Sequence, residues 1–256
     1  MGKDSTIEWT HHTFNPWWGC AKVSPGCANC YAEAWAKRVG QKIWGAGEDR
    51  RFFSEKHWAE PLKWNAEAKS AKRRKRVFCA SMADVFEFRA DLNPAREKLW
   101  QLSAQTEWLD WLLLTKRPQN IRNMLPFDWD LGFDFLSAYS NVWLGITAEN
   151  QTELDRRWPH LRDIPAKVYF ISHEPSLGPI HIPLGIDWVI AGDESGPHRR
   201  PTDRTWTKSL RDQCAEANVA FFNKQAVEDG RLTHEPLLDG VLHRAFPKPR
   251  VREALP

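Results

Sequence analysis

The chain has 256 residues, with 36 Lys and Arg against 33 Asp and Glu, a net charge of +3, and 42% hydrophobic and 27% charged residues. That size suits one large domain or two small ones, and the composition is globular, neither disordered nor fibrous. No run approaches the ~18 apolar residues of a spanning helix, and Met1 to Thr10 carry no secretory pattern; the expectation is a cytoplasmic chain with reduced thiols and no membrane attachment.

A first strand is expected near Ile7 to Thr10 or Phe14 to Trp18. Near-continuous apolar runs follow at 77–80, 111–114, 142–146, 168–171, 188–191 and 219–222, the pattern of strands covered on both faces. Between them, helices are expected over 93–106, opened by Asn93-Pro94, then over 149–162 and 203–218. Strands alternating with helices predict an α/β chain built from βαβ units. The strand count suits a complete or partial parallel β/α (TIM-like) barrel, with a doubly wound open sheet as the other arrangement. The expected organisation is one barrel-like domain over 1–225, with a Trp-rich excursion at 38–70 carrying Trp44, Trp58 and Trp64. A second interruption is expected at 126–140, and an irregular tail over 226–256. In either arrangement, chemistry belongs just past the carboxyl ends of the strands.

Three of the five cysteines, Cys20, Cys27 and Cys30, fall in GCAKVSPGCANCYAEAWAKR with C-x6-C-x2-C spacing. A Cys-x-x-Cys pair opening a helix points two sulfurs at one centre, and Pro25-Gly26 turns the loop so that the third can join. Backbone amides at the helix start favour anionic sulfur. A disulfide is disfavoured by compartment and by the odd count. Structural zinc needs a fourth ligand, such as His11, His12 or a distant His. Unconnected buried cysteines are a further reading. The remaining one is an iron-sulfur cluster on a loop near the N-terminus: a cubane has four irons, so three thiolates leave one without a protein ligand. Cys79, in an apolar run, and Cys214, in a helical stretch, read as core residues.

The three-cysteine cluster at the start of an alternating β/α chain resembles the radical S-adenosylmethionine (SAM) superfamily. That resemblance implies a 4Fe-4S cluster whose open iron binds the amino and carboxylate groups of SAM, and an electron donor that drives cleavage to a 5′-deoxyadenosyl radical. The phrases FNPWWGC (14–20), SMADVF (81–86), LLLTKRP (112–118), WLGITAEN (143–150), HEPSLGPI (173–180) and GDESGP (192–197) look like a phage and prophage family of three-cysteine-motif proteins. Spore photoproduct lyase, a DNA repair enzyme, is a more distant similarity. The superfamily spacing is C-x3-C-x2-C, so this chain has three more residues in the first interval. Asn29 stands where an aromatic usually precedes the third cysteine, with Tyr31 just after it.

The residues at the strand ends are read against that resemblance. Ser81 and Asp84 occupy the place of the turn that holds the SAM amino group, although Asp84 equally suits a helix cap. Lys116 and Arg117 offer cations for a carboxylate or phosphate, or form a solvated pair. Thr147 and Glu149 are candidates for ribose hydroxyls, Glu149 also suiting a first helical turn. His173 and Glu174 are the candidate acid-base residues, against a structural Glu binding backbone amides. Gly192 would let backbone approach the cofactor, and Arg199 and Arg200 could meet an anionic substrate.

The stretch 69–76 holds six cations in eight residues. Lys72, Arg73, Arg74 and Arg76 suit nucleic-acid phosphates, with Trp58 and Trp64 available for stacking; a solvated helix end is the plain alternative. Two functions follow. One is a radical SAM-like enzyme acting on a nucleic acid or nucleotide; the other is a non-catalytic cluster or zinc protein that binds nucleic acid or a phage partner.

Overall fold

Alternation along each strand builds two cores, one on each face of a single sheet. The computed structural model describes residues 2–126 and 138–248. Most of the expected interruption at 126–140 lies outside the described residues, as do the last residues of the tail.

The chain opens with β1 (His12–Phe14), β2 (Trp17–Trp18), α1 (Tyr31–Arg38), β3 (Arg51–Phe52), α2 (Glu55–Trp58) and α3 (Glu60–Ser70). It continues through β4 (Lys75–Cys79), α4 (Asn93–Gln105), β5 (Leu109–Thr115), β6 (Val142–Thr147), α5 (Gln151–Arg162), β7 (Tyr169–His173) and β8 (Trp188–Gly192). It closes with α6 (Arg204–Glu216), β9 (Ala220–Glu228), β10 (Arg231–Thr233), β11 (Leu237–Leu238) and β12 (Val241–Leu242). Eight strands form one sheet in the order β1-β4-β5-β6-β7-β8-β9-β10. Each pairing from β1 to β9 is parallel, and β10 returns antiparallel to β9. The edge strands β1 and β10 do not pair, so the sheet is a curled half-barrel.

Successive side chains point to opposite faces. Val77, Trp111, Leu113, Leu144, Ile146, Ile171 and Val189 join the larger core with Leu99 and Trp100 of α4, Leu154 and Trp158 of α5 and Leu210 of α6. Their neighbours Phe78, Leu112, Trp143, Phe170, Trp188, Ile190 and Phe222 form a second core inside the half-barrel, capped by Trp9. The Trp188 ring centroid lies within 6.3 Å of the rings of Trp9, Trp143, Phe170, Phe222 and Phe246. Part of the unusual Trp content therefore fills the lumen, where each buried aromatic contributes ~1.5–3 kcal/mol.

The tail holds this plug in place. The Trp188 indole N–H donates to the Ala245 carbonyl at 3.0 Å, Phe246 packs on Trp188 and Phe222, and Arg76 lies over the Phe246 ring at 3.8 Å.

Four expectations change. The first strand starts between the two stretches considered for it and ends on Phe14, the first residue of the second stretch, which also holds β2. Trp58 and Trp64 are 7% and 3% exposed in the core, so neither can stack on a base. The second half of the 38–70 excursion is helical, α2 followed by α3, on the way from β1 to β4. The stretch after 225 is strand rather than irregular chain as far as Glu228, and β10, β11 and β12 follow it.

Candidate functional site

A cavity of about 440 Å³ lies at the carboxyl ends of the strands. Its wall includes Cys20, Cys27 and Cys30, and it also takes in Tyr31, Ser81, Asp84, Lys116, Thr147 and Glu174. The same parity that fills the lumen selects these strand-end residues. Two positions past Leu114 is Lys116, two past Gly145 is Thr147, and two past Phe222 is Lys224, another wall residue. Phe170 and Ser172 of β7, and Glu174 just past it, follow the parity of the inner face. His173 is on the other.

The cysteine loop is fastened at three places by residues from different strand ends. After β5, Arg117 donates to the Ala21 carbonyl at 2.7 Å and to Cys20 Sγ at 3.5 Å. After β6, Glu149 accepts the Gly26 amide at 2.9 Å. After β8, Glu194 accepts from the Asn29 side chain at 3.0 Å and pairs with Arg200, whose guanidinium also donates to the Pro25 carbonyl at 3.1 Å. These contacts define the local electrostatics. Burial opposes the Glu149 charge, but Arg157 at 2.6 Å holds its carboxyl down to about 2. Burial pushes the Cys20 thiol up to about 12 despite the pull of Arg117. Burial likewise works against Arg117, and Asp84 beside it at 2.9 Å keeps it firmly protonated.

Several expected roles change with this geometry. Glu149 is fully buried beneath the loop and does not border the cavity, so it is a loop anchor and not a ribose ligand. His173 is 1% exposed on the helix side of β7, donating through Nδ1 to the Ala148 carbonyl at 2.6 Å and accepting the Ser176 hydroxyl at 2.7 Å. Burial lowers its pKa to about 4, and it does not line this cavity. Gly192 is not a wall residue either. A Cβ there would stand 3.3 Å from Gln225 and 3.4 Å from Glu174, so it makes room for Glu174.

Asp84 takes Thr115 Oγ1 at 2.7 Å, the Phe86 and Lys116 amides at 3.0 and 3.1 Å, and Arg117. The Tyr31 hydroxyl donates to the Ser81 carbonyl at 2.8 Å. Lys116 donates to Thr147 Oγ1 at 3.2 Å and has no carboxylate partner among the described residues. Glu174 is held by Lys224 at 2.5 Å and by Gln225 at 3.2 Å. Arg199 and Arg200 are spent on internal partners, Gly196 and Glu194 among them. Cys79 and Cys214 are core residues as read.

The basic run is not part of this site. Lys75 and Arg76 start β4, at the opposite end from the cavity. Arg74 pairs with Asp110 at 2.7 Å, and Arg76 donates to the Trp9 carbonyl at 3.0 Å and covers Phe246. Lys72 and Arg73 are exposed.

Arg117, Asn29, Arg157, Glu194 and Lys224 complete the site without having been assigned these contacts from sequence. Lys224 was legible by counting two from Phe222. The partners of the others depend on long-range contacts.

The donor set is of the kind a three-thiolate cluster uses. Three free cysteines on one loop line one cavity, and such clusters are held by cysteine sulfur. Each sulfur has protein neighbours: Cys20 meets the Ala21 carbonyl at 3.4 Å and Cys27 the Ser24 hydroxyl at 3.9 Å. Among the described residues no three His, Cys, Asp or Glu side chains are grouped around a single metal position.

The family described as "Protein of unknown function (DUF5131)" matches residues 4–247. The chain belongs to the DUF5131 family. No curated protein is detectably similar to it in sequence. Among solved structures, it is similar to a cysteine-to-alanine mutant of spore photoproduct lyase with dinucleoside spore photoproduct, at 13% identity and a TM-score of 0.51, covering 90% of this chain and 68% of the other. A cysteine-to-serine mutant of that lyase gives 14% identity and 0.51, with the same coverage. The lyase complexed with dinucleoside spore photoproduct gives 13% and 0.50, again over 90% and 68%. At this identity the likeness is one of fold. Among the described residues of this DUF5131 chain, no helix is long and apolar enough to cross a membrane.

Proposed function

We propose that this DUF5131 protein is a radical SAM-like enzyme, with Cys20, Cys27 and Cys30 holding a 4Fe-4S cluster at the mouth of the half-barrel. The observation that carries this reading is that all three cysteines line one cavity at the carboxyl ends of the parallel strands, on a loop anchored by three of those ends. When bound, such a cluster with SAM supplies a one-electron reductive cleavage that starts hydrogen abstraction from a substrate carbon.

The chain's own residues supply binding and orientation. Lys116, a cation whose side chain has a single hydroxyl partner among the described residues, offers a point charge for a carboxylate or phosphate. Tyr31 and Ser81 shape the wall beside Cys30. Glu174 and Lys224 form a mutually satisfied pair on the far wall, able to exchange partners with a polar substrate. Phe78 and Leu114 floor the cavity and exclude water. The substrate in this reading is a nucleic acid or nucleotide, consistent with the dinucleoside carried by a structure of similar fold. An electron donor and a reducing compartment are part of it.

Anaerobic purification and reconstitution, followed by iron, sulfide and zinc assay and incubation with SAM and a reductant, test the reading. Iron and sulfide in matching amounts and 5′-deoxyadenosine, both lost in Cys20→Ala, Cys27→Ala and Cys30→Ala, are expected. Stoichiometric zinc without iron, or a cluster that leaves SAM intact, overturns it.

A further inference from the structure

We propose that Arg117 is a positioning residue that singles out Cys20, donating a charged N–H to that sulfur alone and so making the three cysteine sulfurs electronically unequal. This rests on the cluster reading above.

Arg117 is tied on three sides. Its Nη1 lies 2.9 Å from Asp84 Oδ2 and 3.5 Å from Cys20 Sγ, and its Nη2 lies 2.7 Å from the Ala21 carbonyl. Both members of the ion pair are under 9% exposed at their side chains. Asp84 in turn is fixed by Thr115 Oγ1 and by the Phe86 and Lys116 amides, which with Arg117 occupy its carboxylate lone pairs. The guanidinium cannot swing to a substrate without leaving a buried carboxylate short of a partner.

Among the described residues, no charged group donates a hydrogen bond to either of the other two sulfurs. Cys27 meets the neutral Ser24 hydroxyl at 3.9 Å, and Cys30 meets the Ala32 and Glu33 amides at the start of α1. The nearby cation, Lys116, acts on Cys30 through its charge and gives its one hydrogen bond among the described residues to Thr147, not to sulfur. Arginine keeps its charge and presents a rigid fork. Here that fork bridges backbone, sulfur and carboxylate, which a lysine ammonium cannot do with one geometry. A hydrogen bond to a cluster sulfur draws electron density from it and stabilises the reduced state.

The experiment uses the full chain with Arg117→Gln and Arg117→Lys. In protein before reconstitution, hydrogen exchange of a peptide covering residues 17–30 reads the clamp. In reconstituted protein, an EPR-monitored redox titration reads the midpoint potential. Arg117→Gln is expected to speed loop exchange by roughly tenfold, the loss of one charged hydrogen bond, and to lower the potential. Arg117→Lys is expected to recover part of the potential but not the loop protection, a split that a merely structural role would not produce. A potential unchanged in Arg117→Gln overturns the proposal, whether or not exchange changes. If that variant fails to fold, wild-type values in Arg117→Lys overturn it. A wild-type protein that takes up no iron rejects the cluster reading, while the exchange measurement still tests the clamp.

Discussion

His173 shows how one side chain can look catalytic and serve the fold. Its ring is neutral between a carbonyl and a hydroxyl, with the pKa lowered to about 4 by burial and partly restored by the Ala148 carbonyl. An unfolded His titrates near ~6.5, so between ~6.5 and about 4 the unfolded chain binds the extra proton. The stability held by this residue is complete above ~6.5 and falls as the pH drops toward 4, by about 3 kcal/mol in all. Denaturant unfolding at about pH 7.5 and about pH 5 checks this: His173→Asn should flatten the acid-side loss, and an equal slope in both proteins contradicts it. Gly26 is a second case, because a Cβ there would stand 2.9 Å from Glu149 Oε1, and Arg157 prevents that carboxylate from yielding. Gly26→Ala is expected to cost about 1–3 kcal/mol, read as a lowered midpoint in denaturant and faster exchange in the cysteine loop.

Strands and their parity carry the next level. Six apolar runs became β4 to β9 because a strand covered on both faces has no polar positions to interrupt it. The same runs concealed which face is which. Counting by two from Phe170 reaches Ser172 and Glu174 in the cavity, whereas the adjacent count from Tyr169 reaches Ile171 and His173 among the helices. Gly145 on β6 marks where the lumen is tightest, since a Cβ would meet the Phe170 ring at 2.4 Å. Gly145→Ala is expected to destabilise by at least ~1–3 kcal/mol through overpacking, with the lumen tryptophans reporting the shift by fluorescence. A stability equal to wild type would show that the ring can move aside.

On the scale of the whole molecule, the half-barrel is open between β1 and β10, and its lower end is sealed by an aromatic plug under the 243–246 segment. Phe246→Ala should therefore cost about 1–2 kcal/mol, less than the ~3–5 kcal/mol of a fully buried Phe. Phe88→Ala, at a residue 82% exposed, should change little. Thermal unfolding of the two variants checks this, and equal losses would contradict the strap.

The sequence by itself determined the strand and helix order, the three-cysteine loop and the two core cysteines. All of these rest on local pattern: apolar run length, period and spacing. The tertiary structure decided that the sheet stays open, that Glu149 and Arg117 anchor the loop, that His173 turns away and that the basic run lies at the far end. Those outcomes depend on pairs such as Gly26 with Glu149 and Asp84 with Arg117, whose meeting is set by strand order and curvature. A charged residue at a strand end has the same local signature whether it faces a ligand or holds a loop, and only the position of its partner distinguishes the two.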